Sequence, residues 1–488
     1  MNTVELGADG LDLSQLLAVV DDDAPLRLSD AARARIDSGH RLLRSLMAAG
    51  TPIYGVTTGL GAAVDQAQAP DDSGFQQRIA AGRAVGVGRL AQRREVRAIM
   101  CARLSGLAHG RSGISLDATG SLLDLLNHGI HPEVPLLGSL GESDLAPLAH
   151  LTLALQGQGW VEHKGERLPA GEVLQRAGLA LLVPRDKDGL ALVSANSASI
   201  GLGALLVSDA QRVMERHLAV LALSCEGYRA GLAPFQPMAA RLRPAPGQAW
   251  ASAALLDLLA GSDLNDPAQA RRLQDPLSFR CATVVLGAAR QAWQHAREVV
   301  DIELRSGADN PALLEETDLA LVTANFDSTH LALTFEGLGL ALSRVAVTSA
   351  ERMAKLLSPA SSDLPRSLSP RPGRVGLAAL QRTAAALVAE IVHLASPLPA
   401  ISVPVADRVE DYAGQALAVV EKTASLLQRL EWLVRIEGVI AAQAVDLRGS
   451  IQLGDGARRV HEQIRSRVPF VDEDRAVDIT GDRWWSPD

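Results

Sequence analysis

The chain has 488 residues, of which 47% are hydrophobic and 21% are charged. That length suits two to four domains or one large domain, and that composition excludes a disordered or low-complexity polymer. Forty-seven Lys and Arg residues against 56 Asp and Glu residues give a net charge of −9, without a basic block along the chain. Nucleic acid and anionic membrane surfaces are therefore poor partners for this protein.

Aromatic residues make up only 3% of the chain, whereas Ala and Leu are abundant. A chain rich in strong helix formers and poor in aromatic residues is expected to be mainly α-helical. The three cysteines, Cys101, Cys225 and Cys281, are far apart and lie in apolar helical patterns, which predicts reduced core thiols. The N-terminus shows no secretory pattern, so we expect a cytoplasmic protein. Polar residues interrupt the apolar stretch 189–208, which favours a buried helix over a membrane span.

The predicted elements change in character along the chain. Short elements and glycine-rich connections occupy residues 1–200, where residues 96–107 show helical spacing of apolar side chains. Long helical patterns follow in residues 201–454, with apolar stripes at 377–394 and 417–434 that are typical of a helix bundle. Residues 357–374 are rich in Pro and Ser and predict a loop between two such helices. Residues 455–488 are polar and predict a solvated helical tail. We expect three regions with these boundaries.

Two glycine-rich loops differ from ordinary connections. The first runs from Tyr54 to Gly61 and reads YGVTTGLG, and its glycines permit the close backbone approach that a ligand-lining turn needs. The second reads GSLGESDLAPLAH from residue 138 and leads into a predicted helix start with Asp144 as the N-cap. Amide groups at such a start favour an anion. By sequence logic alone, each loop also has a purely structural interpretation.

Taken together with eight further segments, these loops resemble the aromatic amino acid ammonia-lyase family, which includes histidine and phenylalanine ammonia-lyases. The matching segments follow in the family's order: VRAIMCARLSGLAHGRSG, LLNHGIHPEVPLLGSLGESDLAPLAH, GLALVSANS, RPAPGQ, LQDPLSFRC, SGADNP, ANF, SAERM and VEDY. The resemblance implies a mainly α subunit with a central bundle of long helices and a smaller, loop-rich N-terminal region. It also implies a homotetramer whose active sites take residues from more than one subunit.

The resemblance further implies a built-in electrophile. In the family, an Ala-Ser-Gly triplet cyclises to 4-methylidene-imidazol-5-one, which activates the substrate for loss of ammonia. This chain has Glu142-Ser143-Asp144 where that triplet stands. The flexible glycine whose nitrogen closes the ring is missing, so we expect no methylidene-imidazolone and no other cofactor.

Ten residues form the candidate site that the resemblance implies. Tyr54 matches the family's catalytic tyrosine, and Arg280 with Asn310 matches a clamp for a substrate carboxylate, which suits a guanidinium fork and an amide. Other positions depart from the family's pattern, since Arg83 and Ser194 replace a histidine and an asparagine. The full expected set comprises catalytic Tyr54, Glu142, Ser143 and Glu410, and substrate-binding Arg83, Ser194, Gln274, Arg280, Asn310 and Phe326.

Each of these residues also has a structural interpretation, as a core side chain or an ion-pair member. Arg83 and Glu142 are hypothesised to pair with each other in the space of the missing electrophile, either directly or through a bound anion. His128, His131 and His150 match no zinc spacing, so we expect no metal site.

The function that follows is a lyase that eliminates ammonia or another β leaving group from an aromatic amino acid or related carboxylic acid. General acid–base catalysis alone supplies only ~10²–10⁴-fold in rate, so without the electrophile the leaving group has to be better than ammonia or the substrate pre-activated. The alternatives are a non-catalytic homologue kept as a binding or scaffold protein, and a dehydratase-like enzyme acting on a pre-activated acyl substrate.

Overall fold

A computed structural model describes residues 3–68, 74–398, 403–481 and 484–485. In these ranges the chain is mainly α-helical, which confirms the expected fold class. The helices are α1 Leu13–Asp21, α2 Asp30–Ala48, α3 Phe75–Ala81, α4 Arg93–Leu107, α5 Leu116–Asn127, α6 Leu145–Leu155, α7 Ala170–Arg176, α8 Asp188–Val193, α9 Ser197–Tyr228, α10 Pro237–Leu242, α11 Pro246–Leu258, α12 Leu277–Arg280, α13 Ala282–Leu304, α14 Thr329–Leu356, α15 Pro359–Ser362, α16 Ala378–Leu394, α17 Ala416–Arg448 and α18 Asp455–Arg467.

The chain divides into two compact units that do not follow chain order. Unit 1 comprises residues Met1–Leu206, Arg297–Thr334 and Leu398–Glu421, and unit 2 comprises Val207–Ala296, Phe335–Pro397 and Lys422–Asp488. The boundary expected at residue 200 lies close to Leu206, where the chain first passes from unit 1 to unit 2. Two later segments return to unit 1. The crossings in α9, α13, α14 and α17 lie inside long helices, and a break inside a helix leaves no loop signal for sequence analysis to detect.

Unit 1 holds all the strands of the described chain, in four small sheets. Parallel β1 and β2 pair Val4 with Leu26, whereas the other pairings are antiparallel. The strands are β1 Val4–Leu6, β2 Leu26–Leu28, β3 Val87–Leu90, β4 Ile130–Pro132, β5 Pro135–Leu137, β6 Trp160–His163, β7 Glu166–Pro169, β8 Ala312–Leu314 and β9 Leu319–Leu321. The short elements expected in the N-terminal region are therefore present.

Helical periodicity predicted the main helices well. The apolar spacing at 96–107 lies in α4, whose start is fixed by a capping box in which Gln92 and Glu95 bond each other's backbone amides. The stripes at 377–394 and 417–434 lie in α16 and α17. The predicted loop 357–374 contains one short helix, α15.

The polar C-terminal tail differs from its expectation. Helix α18 buries Gly456, Ala457, Val460 and Ile464, so one of its faces is part of the core of unit 2. The many polar residues of α18 make its apolar stripe hard to recognise in the sequence. Four small or aliphatic residues at helical spacing are nevertheless enough to pack the helix against the core.

Two helical stretches, Asp188–Tyr228 and Thr329–Leu356, are long and apolar enough to cross a membrane by length and composition. In the first, 94% of the most apolar window is buried inside the protein, as expected for the buried stretch 189–208. That burial is the property of a core helix.

Candidate active site

The Tyr54 loop is a compact turn closed by its own hydrogen bonds. The Gly61 amide donates to the Tyr54 hydroxyl oxygen at 2.9 Å, which leaves the hydroxyl proton available to another group. Gly55 and Gly61 have φ angles of +68° and +57°, and a Cβ on Gly59 would lie 2.4 Å from the Ala63 carbonyl oxygen. The glycines are therefore required by backbone geometry, as a close turn needs.

Arg83 and Glu410 lie beside this loop. The Arg83 guanidinium interacts electrostatically with the Tyr54 hydroxyl and the Glu410 carboxylate, and its Nη1 donates to the Ile79 carbonyl at 3.3 Å. Burial lowers the pKa of Arg83, and these two neighbours oppose that shift. A Cβ on Gly61 would lie 3.7 Å from Glu410 Oε1. The structure thus brings three residues of the predicted site into one group.

Glu142 joins the same group from the degenerate triplet. Its Oε1 accepts from the Gly414 amide at 3.0 Å, and residues 142 and 327 form a β-bridge that sets the Glu142 and Asp327 carboxyl groups within hydrogen-bonding reach. Burial, together with Asp327 and Glu410, raises the pKa of Glu142 to about 7. Near neutral pH this side chain can therefore either hold or accept a proton.

The loop that carries Glu142 is clamped on both sides. The Ser328 hydroxyl donates to the Gly141 carbonyl at 2.5 Å, and the Gln415 amide donates to the Leu140 carbonyl at 2.8 Å. Ser143 has a φ of +71°, and its Oγ lies 3.4 Å from Ser194 Oγ. Ser143 and Ser194 are thus brought together as the resemblance implies.

Asp144 occupies the N-cap position of α6, as predicted, but its side chain does not cap that helix. Its carboxylate instead accepts from the Ser199 amide at 2.7 Å and from the Ser199 and Ser139 hydroxyls, so it caps the start of α9. Its own amide donates to the Ala195 carbonyl at 2.7 Å. Burial raises the pKa of this carboxyl group against those hydrogen bonds.

Asn310 and Phe326 lie in unit 1, on the segment between α13 and α14. Asn310 Oδ1 accepts from the Thr323 amide at 3.0 Å. The Phe326 carbonyl accepts from Asn196 Nδ2 at 2.6 Å, while Asn196 Oδ1 is buried with no hydrogen-bond partner among the described residues.

Gln274 and Arg280 belong to unit 2, whereas the other eight predicted residues belong to unit 1. Arg280 Nη1 donates to Gln274 Oε1 at 3.0 Å, so the guanidinium is held by its sequence neighbour. The adjoining Leu273 and Leu277 are exposed. The roles of Gln274 and Arg280 in substrate binding stay predictions.

Sequence reasoning missed the importance of Asp327. It also missed Glu303, whose pKa is raised to about 7 by burial and by Asp327. The hypothesised direct pair of Arg83 and Glu142 does not form, because the described partners of Arg83 are Ile79, Tyr54 and Glu410. Instead, both Arg83 and Glu142 interact with Glu410.

No group of three or more His, Cys, Asp or Glu side chains in the described ranges is arranged to hold a metal ion. The group formed by Tyr54, Arg83, Glu142, Asp327 and Glu410 can instead move protons. It offers a hydroxyl that accepts an amide hydrogen bond, a cation beside that hydroxyl, and a carboxyl group that titrates near neutrality.

Comparisons with known proteins show which family the chain belongs to. Residues 11–466 match the model of the family described as aromatic amino acid lyase. The histidine ammonia-lyase of Alkaliphilus metalliredigens is 32% identical over 486 residues, covering 99% of this chain and 96% of the relative. That of Chloroflexus aurantiacus is 37% identical over 490 residues, covering 96% and 93%. The solved structure of ergothionase, an ergothioneine-degrading enzyme from Treponema denticola, superposes with a TM-score of 0.94 at 31% identity, covering 97% and 96%.

In this mainly helical chain, a tyrosine hydroxyl, a guanidinium and a carboxyl group with a raised pKa lie close together, and the family match places the chain in the lyase class. The chain belongs to the aromatic amino acid lyase family, since the family match spans most of its length and relatives above 30% identity cover nearly all of it. The expectation of a carbon–nitrogen lyase family is confirmed.

Proposed function

We propose that this protein eliminates a tertiary amine from a trimethylammonium betaine that carries an aromatic or heteroaromatic ring, without a methylidene-imidazolone. The observation that carries the proposal is that the residues in place of the electrophile's triplet make other interactions. The carboxyl group of Glu142 interacts with those of Asp327 and Glu410, and the carboxylate of Asp144 caps the start of α9.

The residues of the triplet do not fit ring closure. Closure would need the Asp144 nitrogen to attack the Glu142 carbonyl carbon. That nitrogen donates to Ala195 at 2.7 Å, and the Asp144 side chain is tied to Ser139 and Ser199. Breaking these bonds in a fully buried site would leave polar groups unsatisfied, at about 1–3 kcal/mol each.

A quaternary ammonium removes the chemical need for the electrophile. The N–H protons of an ordinary ammonium group are far more acidic than a Cβ proton, so a base takes an N–H proton first. A trimethylammonium group has no N–H proton and departs as neutral trimethylamine. Ergothioneine, which the similar Treponema denticola enzyme degrades, is such a betaine with an imidazole-derived ring.

The chain's own residues suit each step of this elimination. Tyr54 first releases its hydroxyl proton to solvent and then, as a phenolate, takes the Cβ proton, and the Gly61 amide and the Arg83 guanidinium stabilise its negative charge. The C–H electron pair forms the Cα=Cβ bond while the C–N bond breaks and leaves its electron pair on nitrogen. The protonated carboxyl group of Glu142 then gives its proton to the departing amine, which is the stronger base.

The substrate carboxylate is assigned to Asn310 and Arg280. Because Arg280 lies in unit 2 next to exposed Leu273 and Leu277, we propose that these residues serve a site shared between subunits of a homotetramer. We also propose a cytoplasmic location, with a small-molecule carboxylate as the only other partner.

The test is a product assay on the purified protein. It is incubated with the trimethylammonium betaine of histidine and, separately, with histidine. We expect trimethylamine and the unsaturated acid from the betaine, and no ammonia from histidine. Release of ammonia from histidine would contradict the proposal, as would the absence of product from aromatic and heteroaromatic betaines alike.

A further inference from the structure

The turn that carries Asn310 is held by an unusual set of buried charges. Lys187 is only 1% exposed, and its Nζ donates to the Ser112 carbonyl at 2.8 Å and to the Pro311 carbonyl at 2.9 Å. Arg103 Nη2 donates to Asp309 Oδ1 at 2.9 Å, and both side chains are 2% exposed. Two buried cations therefore bond the turn 309–311, one at the Asp309 carboxylate and one at the Pro311 carbonyl.

This arrangement exceeds what a structural turn requires. A buried ammonium group is costly unless it is paired, and Lys187 bonds two neutral carbonyl oxygens and no carboxylate. Burial lowers its pKa to about 8, while Asp309 raises it and Arg103 lowers it further. The buried group thus keeps one net positive charge close to Asn310.

The same turn fixes what Asn310 can offer to a ligand. The Thr323 amide donates to Asn310 Oδ1 at 3.0 Å, so the oxygen of that side-chain amide is occupied. The Thr323 hydroxyl donates to the Asp309 carbonyl at 3.0 Å and fixes the turn from the same side. Asn310 Nδ2 has no hydrogen-bond partner among the residues that the structure describes. Asn310 is therefore a donor towards any ligand, and a donor above a net positive charge favours an anion.

We propose that Lys187 is a positioning residue for the substrate carboxylate, because it holds the turn of Asn310 and supplies positive charge beneath it. The inference rests on the proposed function only in assigning the substrate carboxylate to Asn310. It adds a specificity rule: the site selects a carboxylate over a neutral amide of the same shape, and Lys187 is needed for that selection.

The experiment compares two probes that differ only in charge. Imidazole-4-acrylate and its primary amide are titrated by calorimetry into the full-length protein. We expect the wild type to bind the acrylate more tightly than the amide. In Lys187→Met, we expect acrylate affinity to fall about tenfold, the size of one lost charge-assisted contact, with little change for the amide.

A matched control is Arg97→Met. Arg97 is also a buried cation in unit 1 that donates to two carbonyls, those of Leu126 and Val19, but it contacts no residue of the 309–311 turn. It should leave the ratio of acrylate to amide affinity unchanged. Thr323→Val gives a second variant that keeps Lys187, and about threefold selective loss of acrylate affinity is expected because the turn loosens.

If Lys187→Met and Thr323→Val lowered the affinity for both probes equally, Lys187 would have a general structural role, which would overturn the inference. So would a wild type without preference for the acrylate, or a variant that retains the full preference. Should Lys187→Met fail to fold, Lys187→Gln, which keeps a donor for the two carbonyls without the charge, decides by the same ratio. Since binding of these probes needs no turnover, a failed product assay and a failed binding ratio are distinguishable.

Discussion

The carboxyl groups of Glu142 and Asp327 lie within hydrogen-bonding reach of each other, on two chain segments joined by a β-bridge. Burial disfavours the charged form of Glu142, and the neighbouring Asp327 disfavours it further, so the pKa of Glu142 rises to about 7. One carboxyl group of the candidate site is therefore poised to exchange a proton near neutral pH.

This relationship predicts a pH dependence of stability. Because the folded-state pKa of Glu142 lies above the ordinary 4.5, the folded protein retains a proton that the unfolded chain releases. The free energy of unfolding should therefore fall as pH rises from about 4.5 to 7. Glu142→Gln should flatten this dependence and melt at a higher temperature than wild type at pH 8, as thermal denaturation would measure.

Glu303 offers a matched control for that experiment, since burial also raises its pKa to about 7. Glu303→Gln should flatten the same pH range while leaving the Glu142 carboxyl group and its Asp327 neighbour in place. If Glu142→Gln retained the wild-type slope between pH 5 and 8, the assignment of the raised pKa to Glu142 would be wrong.

Arg83 should couple to Glu410 rather than to Glu142. A double-mutant cycle with Arg83→Met and Glu410→Gln should show a coupling of about 1 kcal/mol in the free energy of unfolding, because the two side chains interact electrostatically. The same cycle with Glu142→Gln should be nearly additive. Chemical denaturation measures both, and a larger coupling to Glu142 would restore the direct pair that the structure does not form.

Tyr54 should be needed for turnover but not for binding. Tyr54→Phe removes the hydroxyl that accepts from Gly61, and loss of a general base should lower kcat by ~10²–10⁴-fold with little change in KM. Tyr412→Phe is the control, since its hydroxyl is exposed and bonds Thr329 Oγ1. Equal activity of Tyr54→Phe and wild type in the trimethylamine assay would remove Tyr54 from the mechanism.

The triplet should remain uncyclised. The intact mass of the purified protein should equal that of the encoded chain, because the Asp144 nitrogen is held by Ala195. A mass lower by two water molecules would show that the ring forms despite these contacts. Ser143→Ala supplies the control, since without the serine hydroxyl it cannot lose the second water molecule under either outcome.

Local sequence patterns predicted what short-range geometry determines. The helical periods of α4, α16 and α17 and the glycines around Tyr54 are local, so they were visible. The capping of α9 by Asp144 and the bridge between Glu142 and Asp327 join segments far apart in the chain, and no spacing rule connects them. The placement of Arg280 in unit 2 was also not predictable from the sequence. The chain passes from one unit to the other inside long helices, and such a passage leaves no loop signal.

The buried ion pair of unit 2 gives the last prediction. Arg352 Nε donates to Glu437 Oε1 at 2.6 Å and Nη2 donates to Oε2 at 2.9 Å, and both side chains are 0% exposed. Arg352→Met should lower the free energy of unfolding by ~3–5 kcal/mol, because it leaves a buried carboxylate without its counter-charge. Adding Glu437→Gln should recover part of that loss, since Gln keeps an acceptor for Ser224 and Ser349 without a charge.

The exposed pair of Arg41 and Asp37 is the control, and Arg41→Met should change stability by less than about 1 kcal/mol. Urea denaturation of the four proteins measures these differences, and a double variant less stable than Arg352→Met alone would show that the charge of Glu437 is balanced by other groups.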